Sequence, residues 1–364
     1  MKLKIKMPHD KIKVLELFSG IGGMHWALKE ASQVVGFDFE VVRAIDICDH
    51  ANEVYAYNFP NVDVRASNIC GLTAEELNKL DINAIFMSPP CQPFSRQGNQ
   101  KDTTDSRTQP LLHIMDKLLR NVNTLKYVLL ENVKGFEVSQ AHDILTSVLK
   151  SCGFKVQEYL ICPKQLGIPN SRLRYYLIAS RLEAFVPKDH LILNIVDDID
   201  SSLLKVFQKP GSNLSSYMDF ESVALNDDFL RVEDKLLEKH AEVLDIVNSQ
   251  SNGSCCFTKA YGKYAKGTGS VIQQSGDLDL AFQSLGQAKE REERLQILET
   301  LKLRYFSPKE VSNLLGFPKN FTFPSSMMRQ NGTNPRLCFR LLGNSLNVTV
   351  VALLTAILFK DYSP

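Results

Sequence analysis

The chain has 364 residues, 44% of them hydrophobic, enough for one large core and a smaller second lobe. Lys+Arg 42 against Asp+Glu 41 leaves it near neutral, which excludes a globally basic nucleic-acid binder; any footprint for a polyanion must be local. The eight cysteines are scattered, with no CxxC pair and no Cys/His grouping at zinc spacing. That argues for reduced thiols in a cytosolic or nuclear protein, and no metal is expected. Met1–Lys13 is lysine-rich without an apolar signal core, and the apolar stretch Val348–Phe359 is too short to span a bilayer.

Apolar runs alternate with helical patterns over the first half of the chain. Strands are predicted at Val14–Phe18, Val41–Ile45, Ala84–Met87, Tyr127–Leu130, Val156–Ile161 and Tyr175–Ala179. Strands separated by helices predict an α/β fold with a doubly wound, mostly parallel sheet. The pattern breaks at 181–256, which is irregular and polar, with one charged helix predicted near Arg231–Val247. A longer charged helix is predicted over Gly286–Leu303, and an apolar helix over Ser345–Lys360 that rejoins the core. The domain reading is a main domain of 1–184 and 301–364, with a small lobe at 185–300.

Four segments carry chemistry. Phe18-Ser19-Gly20-Ile21-Gly22-Gly23 follows the first strand, where glycine lets the backbone turn sharply and approach a ligand. Asp46 ends the second strand, where a carboxylate can accept from ribose hydroxyls or cap a helix. Ser88-Pro89-Pro90-Cys91-Gln92-Pro93 closes the third apolar run. Its prolines stiffen the turn and hold a thiol beyond the carboxyl end of a strand, where open α/β sheets keep their chemistry. Glu131-Asn132-Val133 ends the next strand and offers a partly buried carboxyl. Finally, Arg172 and Arg174 stand at i and i+2 of an extended segment, on one side of it. Beside a cysteine they favour thiolate; beside a glutamate they pair; elsewhere such arginines are surface groups.

In this order, the motifs resemble those of the cytosine-5 methyltransferases that use S-adenosylmethionine. Gly343-Asn344-Ser345-Leu346 resembles the last motif of that family. The chain is most similar to the tRNA methyltransferase branch, historically called DNA methyltransferase 2. The stretches that carry this likeness are Pro93–Gly98, Thr104-Asp105-Ser106-Arg107, Leu130–Glu137, Leu166–Tyr175, Cys256-Phe257-Thr258-Lys259-Ala260-Tyr261-Gly262, Leu303–Glu310 and Leu314–Pro318. Glu16 stands where most of the wider family has aspartate, as it does in this branch.

The resemblance implies a class I, Rossmann-like methyltransferase fold with a small target-recognition lobe. It implies Cys91 as nucleophile toward carbon-6 of cytosine, Glu131 on the ring N3 and exocyclic amine, and Arg172 and Arg174 holding the O2 side and Glu131. It implies S-adenosylmethionine held by Phe18, Ser19, Gly20, Gly22 and Gly23, by Asp46 at the ribose and Ile47 beside the adenine, and by Asn68-Ile69. Ser88 and Pro90, with Asn344 and Ser345, complete that set. Cys256, Thr258, Lys259, Tyr261 and Lys263 are substrate-binding candidates. Lys259, Lys263 and Lys266, with Tyr261 and Tyr264 between them, suit phosphate contact and base stacking, or form a solvated loop. The implied substrate is a cytosine at position 38 in the anticodon loop of aspartate tRNA. Duplex DNA, or a silent RNA-binding role, is the alternative. A monomer in the cytoplasm, also reaching the nucleus, is expected.

Overall fold

The computed structural model describes residues 11–92, 102–188, 193–194, 201–219, 230–327 and 335–360. The Pro93–Gly98 stretch lies outside them. By its internal contacts the chain divides into two units, one of 1–161, 173–207 and 348–364, the other of 162–172 and 208–347.

The first unit is built on one sheet with strand order β3-β2-β1-β4-β5-β7-β6-β8. The strands are β1 (Ile12–Leu17), β2 (Phe39–Asp46), β3 (Val64–Ala66), β4 (Ala84–Met87), β5 (Tyr127–Val133), β6 (Lys155–Ile161), β7 (Arg174–Ser180) and β8 (Leu193–Asn194). β3, β2, β1, β4 and β5 are mutually parallel. All four residues of β4 are buried, and both faces of such a strand must be apolar, which is why Ala-Ile-Phe-Met reads as a continuous run. The chain winds from β1 outward to β3 and then crosses back to β4. The strand order therefore reverses between β1 and β4, and the carboxyl ends of these two strands flank the crevice where open sheets bind ligands. β7 departs from the parallel set. It runs antiparallel to both β5 and β6, with Glu131 opposite Tyr176 and Val133 opposite Arg174.

Helices α1 (Gly23–Val35), α2 (Asp49–Asn58), α3 (Ala74–Leu80), α4 (Gln109–His113) and α5 (Gln140–Ser151) cover the sheet. The helix Val348–Phe359 packs along α1, and its Phe359 ring lies 4.7 Å from that of Phe37 and 4.8 Å from that of Tyr127. It is apolar all round because it is buried all round. The longer stretch Pro335–Phe359 is apolar enough to cross a bilayer, yet 78% of its most apolar window is buried inside the protein. The helix Val348–Phe359 starts later than the predicted Ser345: the preceding helix ends at Asn344, and between the two the buried Asn347 donates its side-chain amide to Leu314 O at 3.2 Å.

In the second unit, helices Asp234–His240, Leu278–Leu285 and Arg291–Glu299 enclose a core with Leu237, Val271, Leu285, Leu298 and Leu301. A small sheet, β9 (Ile246–Val247), β10 (Val271–Ile272) and β11 (Arg304–Tyr305), runs in the order β11-β10-β9. From β11 Arg304 forks onto Glu310 at 2.7 and 2.8 Å, both side chains buried. Glu310 also closes a capping box with Ser307 on the helix Pro308–Leu314. The predicted helix at Arg231–Val247 is shorter: it ends at His240 and yields to a tight turn and β9. The one predicted at Gly286–Leu303 spans only Arg291–Glu299, and Lys302 beyond it takes a left-handed φ of 46°. The units also divide the chain elsewhere than at 185 and 300. Residues 162–172 and 301–347 group with the second unit because they make their contacts there.

Candidate active site

The turn after β1 is built from left-handed residues: Phe18 at φ 55°, Gly20 at 53° and Gly22 at 83°. A non-glycine residue in that region stores strain of about 1–3 kcal/mol, which surrounding structure must hold. Here Ser19 N donates to Ile45 O at 3.1 Å, and Gly20 N to Asp46 Oδ2 at 2.9 Å. Cys48 N donates to Asp46 Oδ1 at 2.8 Å, so one carboxylate ties the glycine-rich turn to the approach of α2. Burial pushes Asp46 up, and the N–H donors of Cys48, Gly20 and Ile47 pull it back. A Cβ on Gly22 would lie 2.9 Å from the Phe59 ring, so glycine is required by space as well as by φ. Ile47, next to Asp46, is 79% exposed. Asn68 caps the following short turn through Cys70 N, while Ile69 is buried, its carbonyl taken by Leu72 N.

Beneath this turn lies a polar cluster among apolar residues. Glu16 is fully buried in β1; its Oε1 accepts from Tyr55 Oη at 3.0 Å, and Tyr55 Oη lies 2.9 Å from His25 Nδ1. Burial pushes Glu16 up to about 8 and His25 down to about 3, so both are neutral near pH 7. The His25 ring stacks on Phe59 at 3.7 Å. Glu16 Oε2, Ser19 Oγ and Asn52 Oδ1 are buried atoms with no hydrogen-bond partner among the described residues. Tyr55 and His25 carry no sequence signal of their own; the clue is a glutamate inside an apolar strand.

The cysteine turn is held from both sides. Ser88 N donates to Leu17 O at 3.3 Å and Ser88 Oγ to Phe18 O at 3.0 Å, joining the end of β4 to the glycine-rich turn. From β5, the buried Asn132 donates its amide to Pro89 O at 3.3 Å. Pro90 follows, and then Cys91, half-buried. The β4–β5 register pairs Met87 with Leu130, so Glu131 emerges at the level of Ser88. Glu131 is 8% exposed, and Arg174 Nε stands 3.6 Å from its Oε1. Arg174 sits two residues before Tyr176, the cross-strand partner of Glu131, and thus on the same face of the sheet as its diagonal neighbour.

Arg107 joins these candidates from Thr104-Asp105-Ser106-Arg107, a stretch that carries a family likeness in the sequence but no assigned role. Asp105, itself nearly buried, accepts from Arg107 N at 3.0 Å, from Nε at 2.8 Å and from Nη2 at 2.6 Å. These bonds raise the Arg107 pKa, and the negative charge available at Cys91 raises it further, so the guanidinium lies within electrostatic reach of the thiol. The signal was present in Asp105-Ser106-Arg107, an acid two residues before an arginine.

The second unit holds the remaining candidates. Arg172 is 3% exposed and sends its terminal nitrogens to Phe257 O at 3.1 Å, to Gly343 O at 3.3 Å and to Ser345 O. Its Nη1 also stands 3.6 Å from Cys256 Sγ. Within the first unit Arg174 stands beside Glu131, and within the second Arg172 gives its terminal donors to the carbonyls of Phe257, Gly343 and Ser345. Asn344 is exposed and Ser345 half-buried at the end of the helix Pro335–Asn344. Thr258 N donates to Thr268 O at 2.9 Å and closes a loop that exposes Lys259, Lys263, Tyr264 and Lys266. Lys263 Nζ lies 5.2 Å from the Tyr264 ring centre. Tyr261 corrects the sequence expectation. It is buried, with its Oη donating to Ser270 O at 2.6 Å and accepting from Phe306 N at 2.8 Å, so its ring is core and not a stacking surface.

A family model for the C-5 cytosine-specific DNA methylases matches residues 12–360. The chain belongs to the C-5 cytosine methyltransferase family. Within that family it is 41% identical to the tRNA (cytosine(38)-C(5))-methyltransferase of Homo sapiens, over 96% of this chain and 100% of the human one. It is 42% identical to the enzyme of the same name from Spodoptera frugiperda, over 96% and 99%. A crystal structure of a Spodoptera frugiperda DNMT2 mutant superposes with a TM-score of 0.81 at 40% identity, covering 95% of this chain and 99% of that one. The S. pombe Dnmt2 methyltransferase superposes at 0.77, with 32% identity, covering 96% and 98%. The doubly wound, mostly parallel sheet is thus the family's class I methyltransferase fold, and the chain is a cytosine-5 methyltransferase of the Dnmt2 type.

Proposed function

We propose that this methyltransferase acts on tRNA, at cytosine 38 in the anticodon loop of aspartate tRNA, through a transient bond between Cys91 and the base. The relatives bearing the tRNA (cytosine(38)-C(5)) name support the substrate. The observation that carries the chemistry is the arrangement at the ends of β4 and β5: a thiol on a turn held by Ser88 and Asn132, beside a nearly buried glutamate paired with Arg174.

Carbon-5 of cytosine is a weak nucleophile, and covalent catalysis divides the problem. Cys91 Sγ bonds to carbon-6 and the electron pair moves toward carbon-5. Glu131 hydrogen-bonds N3 and the exocyclic amine, stabilising the charge that develops on the ring. Arg174 fixes the Glu131 carboxyl, and Arg107 favours the thiolate form of Cys91. After methyl transfer a base such as water takes the carbon-5 proton, the carbon–hydrogen bonding pair forms the C5=C6 double bond, and the Cys91–carbon-6 bond breaks with its electron pair leaving on sulfur as thiolate. The base must leave its stack for this, which costs less in an RNA loop than in a duplex.

The residues around the glycine-rich turn suit S-adenosylmethionine, which supplies an electrophilic methyl group when bound. The partnerless Ser19 Oγ and the backbone of Phe18, Gly20, Gly22 and Gly23 suit its amino-acid end. Asp46 suits the ribose, although both its oxygens already accept from backbone N–H groups, and the exposed Ile47 suits the flat face of adenine. Asn68, Ser88, Pro90, Asn344 and Ser345 complete the proposed set. The second unit serves as the target-recognition part, with Cys256, Thr258, Lys259 and Lys263 toward RNA. The protein acts as a monomer in the cytoplasm.

Duplex DNA is the second reading, since a 36% identical relative from Dictyostelium discoideum is named DNA (cytosine-5)-methyltransferase. Incubation with labelled S-adenosylmethionine and either total tRNA or duplex DNA separates the two. Label in tRNA, lost in Cys91→Ala while RNA binding remains, is the expected result. Label in DNA alone overturns the proposal.

A further inference from the structure

The second unit contains an arrangement that motif order does not convey. Pro169–Arg172 runs beside Ser254–Phe257 as a polar seam. Ser171 N donates to Ser254 O at 2.9 Å, Asn170 Nδ2 to Ser254 Oγ at 3.1 Å and to Cys255 O at 3.0 Å, and Ser254 Oγ to Pro169 O at 2.8 Å. Arg172 ends this seam and reaches further, to the carbonyls of Gly343 and Ser345. Gly343 itself sits against the other side of the same loop. A Cβ there would fall 2.2 Å from Lys259 N and 2.4 Å from Thr258 O, closer than any real side chain approaches. The loop Cys256–Lys259 and the turn Gly343–Ser345 are therefore in backbone contact, bridged by one buried guanidinium.

We propose that Arg172 is a positioning residue, not a contact to the cytosine: it bolts the RNA-facing loop Cys256–Lys259 to the cofactor-facing turn Gly343–Ser345, so that both ligands lose affinity together when it is removed. This rests on the assignment of those two segments to tRNA and to the methyl donor made above. A planar guanidinium can serve carbonyls on two segments at once, whereas an ammonium is a single point with no fixed fork. Charged hydrogen bonds are worth about twice neutral ones, and carbonyls left buried without donors drive local rearrangement. A group acting on the transition state alone would instead change the chemical step and leave ground-state binding intact.

The test compares Arg172→Gln, Arg172→Lys, Gly343→Ala and Arg174→Gln in the full chain. It measures equilibrium affinity for S-adenosylhomocysteine and for tRNA, and the single-turnover methylation rate with both ligands saturating. Circular dichroism confirms the fold of each variant. The expected result is that Arg172→Gln and Gly343→Ala weaken both affinities about tenfold, while the saturated rate falls less than about threefold. Arg172→Lys should recover little of either affinity. Arg174→Gln should do the reverse, with affinities held and the rate falling at least about a hundredfold. Should Arg172→Gln behave like Arg174→Gln, or Gly343→Ala leave both affinities unchanged, the proposal is overturned. If Arg172→Gln does not fold, Arg172→Lys and Gly343→Ala decide it by the same criteria. A wild-type protein that transfers no methyl to tRNA refutes the functional reading instead, and the affinity for S-adenosylhomocysteine in the four proteins still tests the clamp.

Discussion

Asn132 donates its side-chain amide to the carbonyl of Pro89, 3.3 Å away at the buried end of the sheet. Successive strand residues point to opposite faces, so Glu131 and Asn132 divide two tasks on one strand. Glu131 meets Arg174, and Asn132 anchors the turn that presents Cys91. Asn132→Ala withdraws the donor from a buried carbonyl, a loss of about 1–3 kcal/mol. Thermal denaturation should report that loss, and the single-turnover rate should fall about tenfold or more because the thiol is no longer fixed.

Arg107 should set how readily Cys91 ionises. In Arg107→Gln, alkylation of the Cys91 peptide by iodoacetamide, followed by mass spectrometry across pH, should shift to higher pH than in the wild type. Arg107→Lys keeps the charge but cannot fork onto Asp105, and should fall between the two. An unchanged alkylation profile in Arg107→Gln would remove Arg107 from the site.

The buried Glu16–His25 cluster predicts a particular pH dependence of stability. Glu16 is raised from 4.5 to about 8, so the folded protein holds its proton more tightly than the unfolded chain does. Its contribution is complete below about 4.5 and is lost as pH rises through about 8. His25 is lowered from 6.5 to about 3, so its effect has the opposite sign: stability rises with pH between those values and is flat above 6.5. The two oppose each other in mildly acidic solution, and from pH 6.5 to 8 Glu16 acts alone. Glu16→Gln should remove a downward slope of at most about 1.4 kcal/mol per pH unit in that window. Chemical denaturation at several pH values reads this directly.

Tyr264 and Tyr261 should separate cleanly. Tyr264 is 57% exposed beside Lys263, so Tyr264→Ala should raise the KM for tRNA about threefold to tenfold without lowering Tm. Tyr261→Phe strips a hydroxyl that serves Ser270 O and Phe306 N inside the core. It should cost about 1–3 kcal/mol of stability in thermal denaturation, with any change in KM following from that.

β4 was legible because it is buried on both faces and reads as an unbroken apolar run, matching its predicted span, whereas the parallel edge strand β3, with Arg65 and Ala66 exposed, carries no such run. Cys91 and Glu131 were legible because strand ends and proline turns announce themselves locally. What the sequence hid depends on contact at long range. Tyr261 lies in a glycine-rich loop with lysines, and only the packing of Phe257 and Phe339 around its ring makes it core. Arg172 and Arg174 look equivalent at i and i+2, yet one ends the seam along Ser254–Phe257 while the other begins β7. The two compact units divide the chain at other positions than the expected lobe limits for the same reason. Hydropathy marks where a pattern changes, but Cys162–Arg172 belongs to the second unit through partners some eighty positions away.

The helix Val348–Phe359 lies along α1, which begins at Gly23. During synthesis, α1 must therefore wait for a neighbour made more than three hundred residues later. Until Val348–Phe359 has been made, the apolar face of α1 that it covers stays open, so the glycine-rich turn at the head of α1 gains its full support late in synthesis.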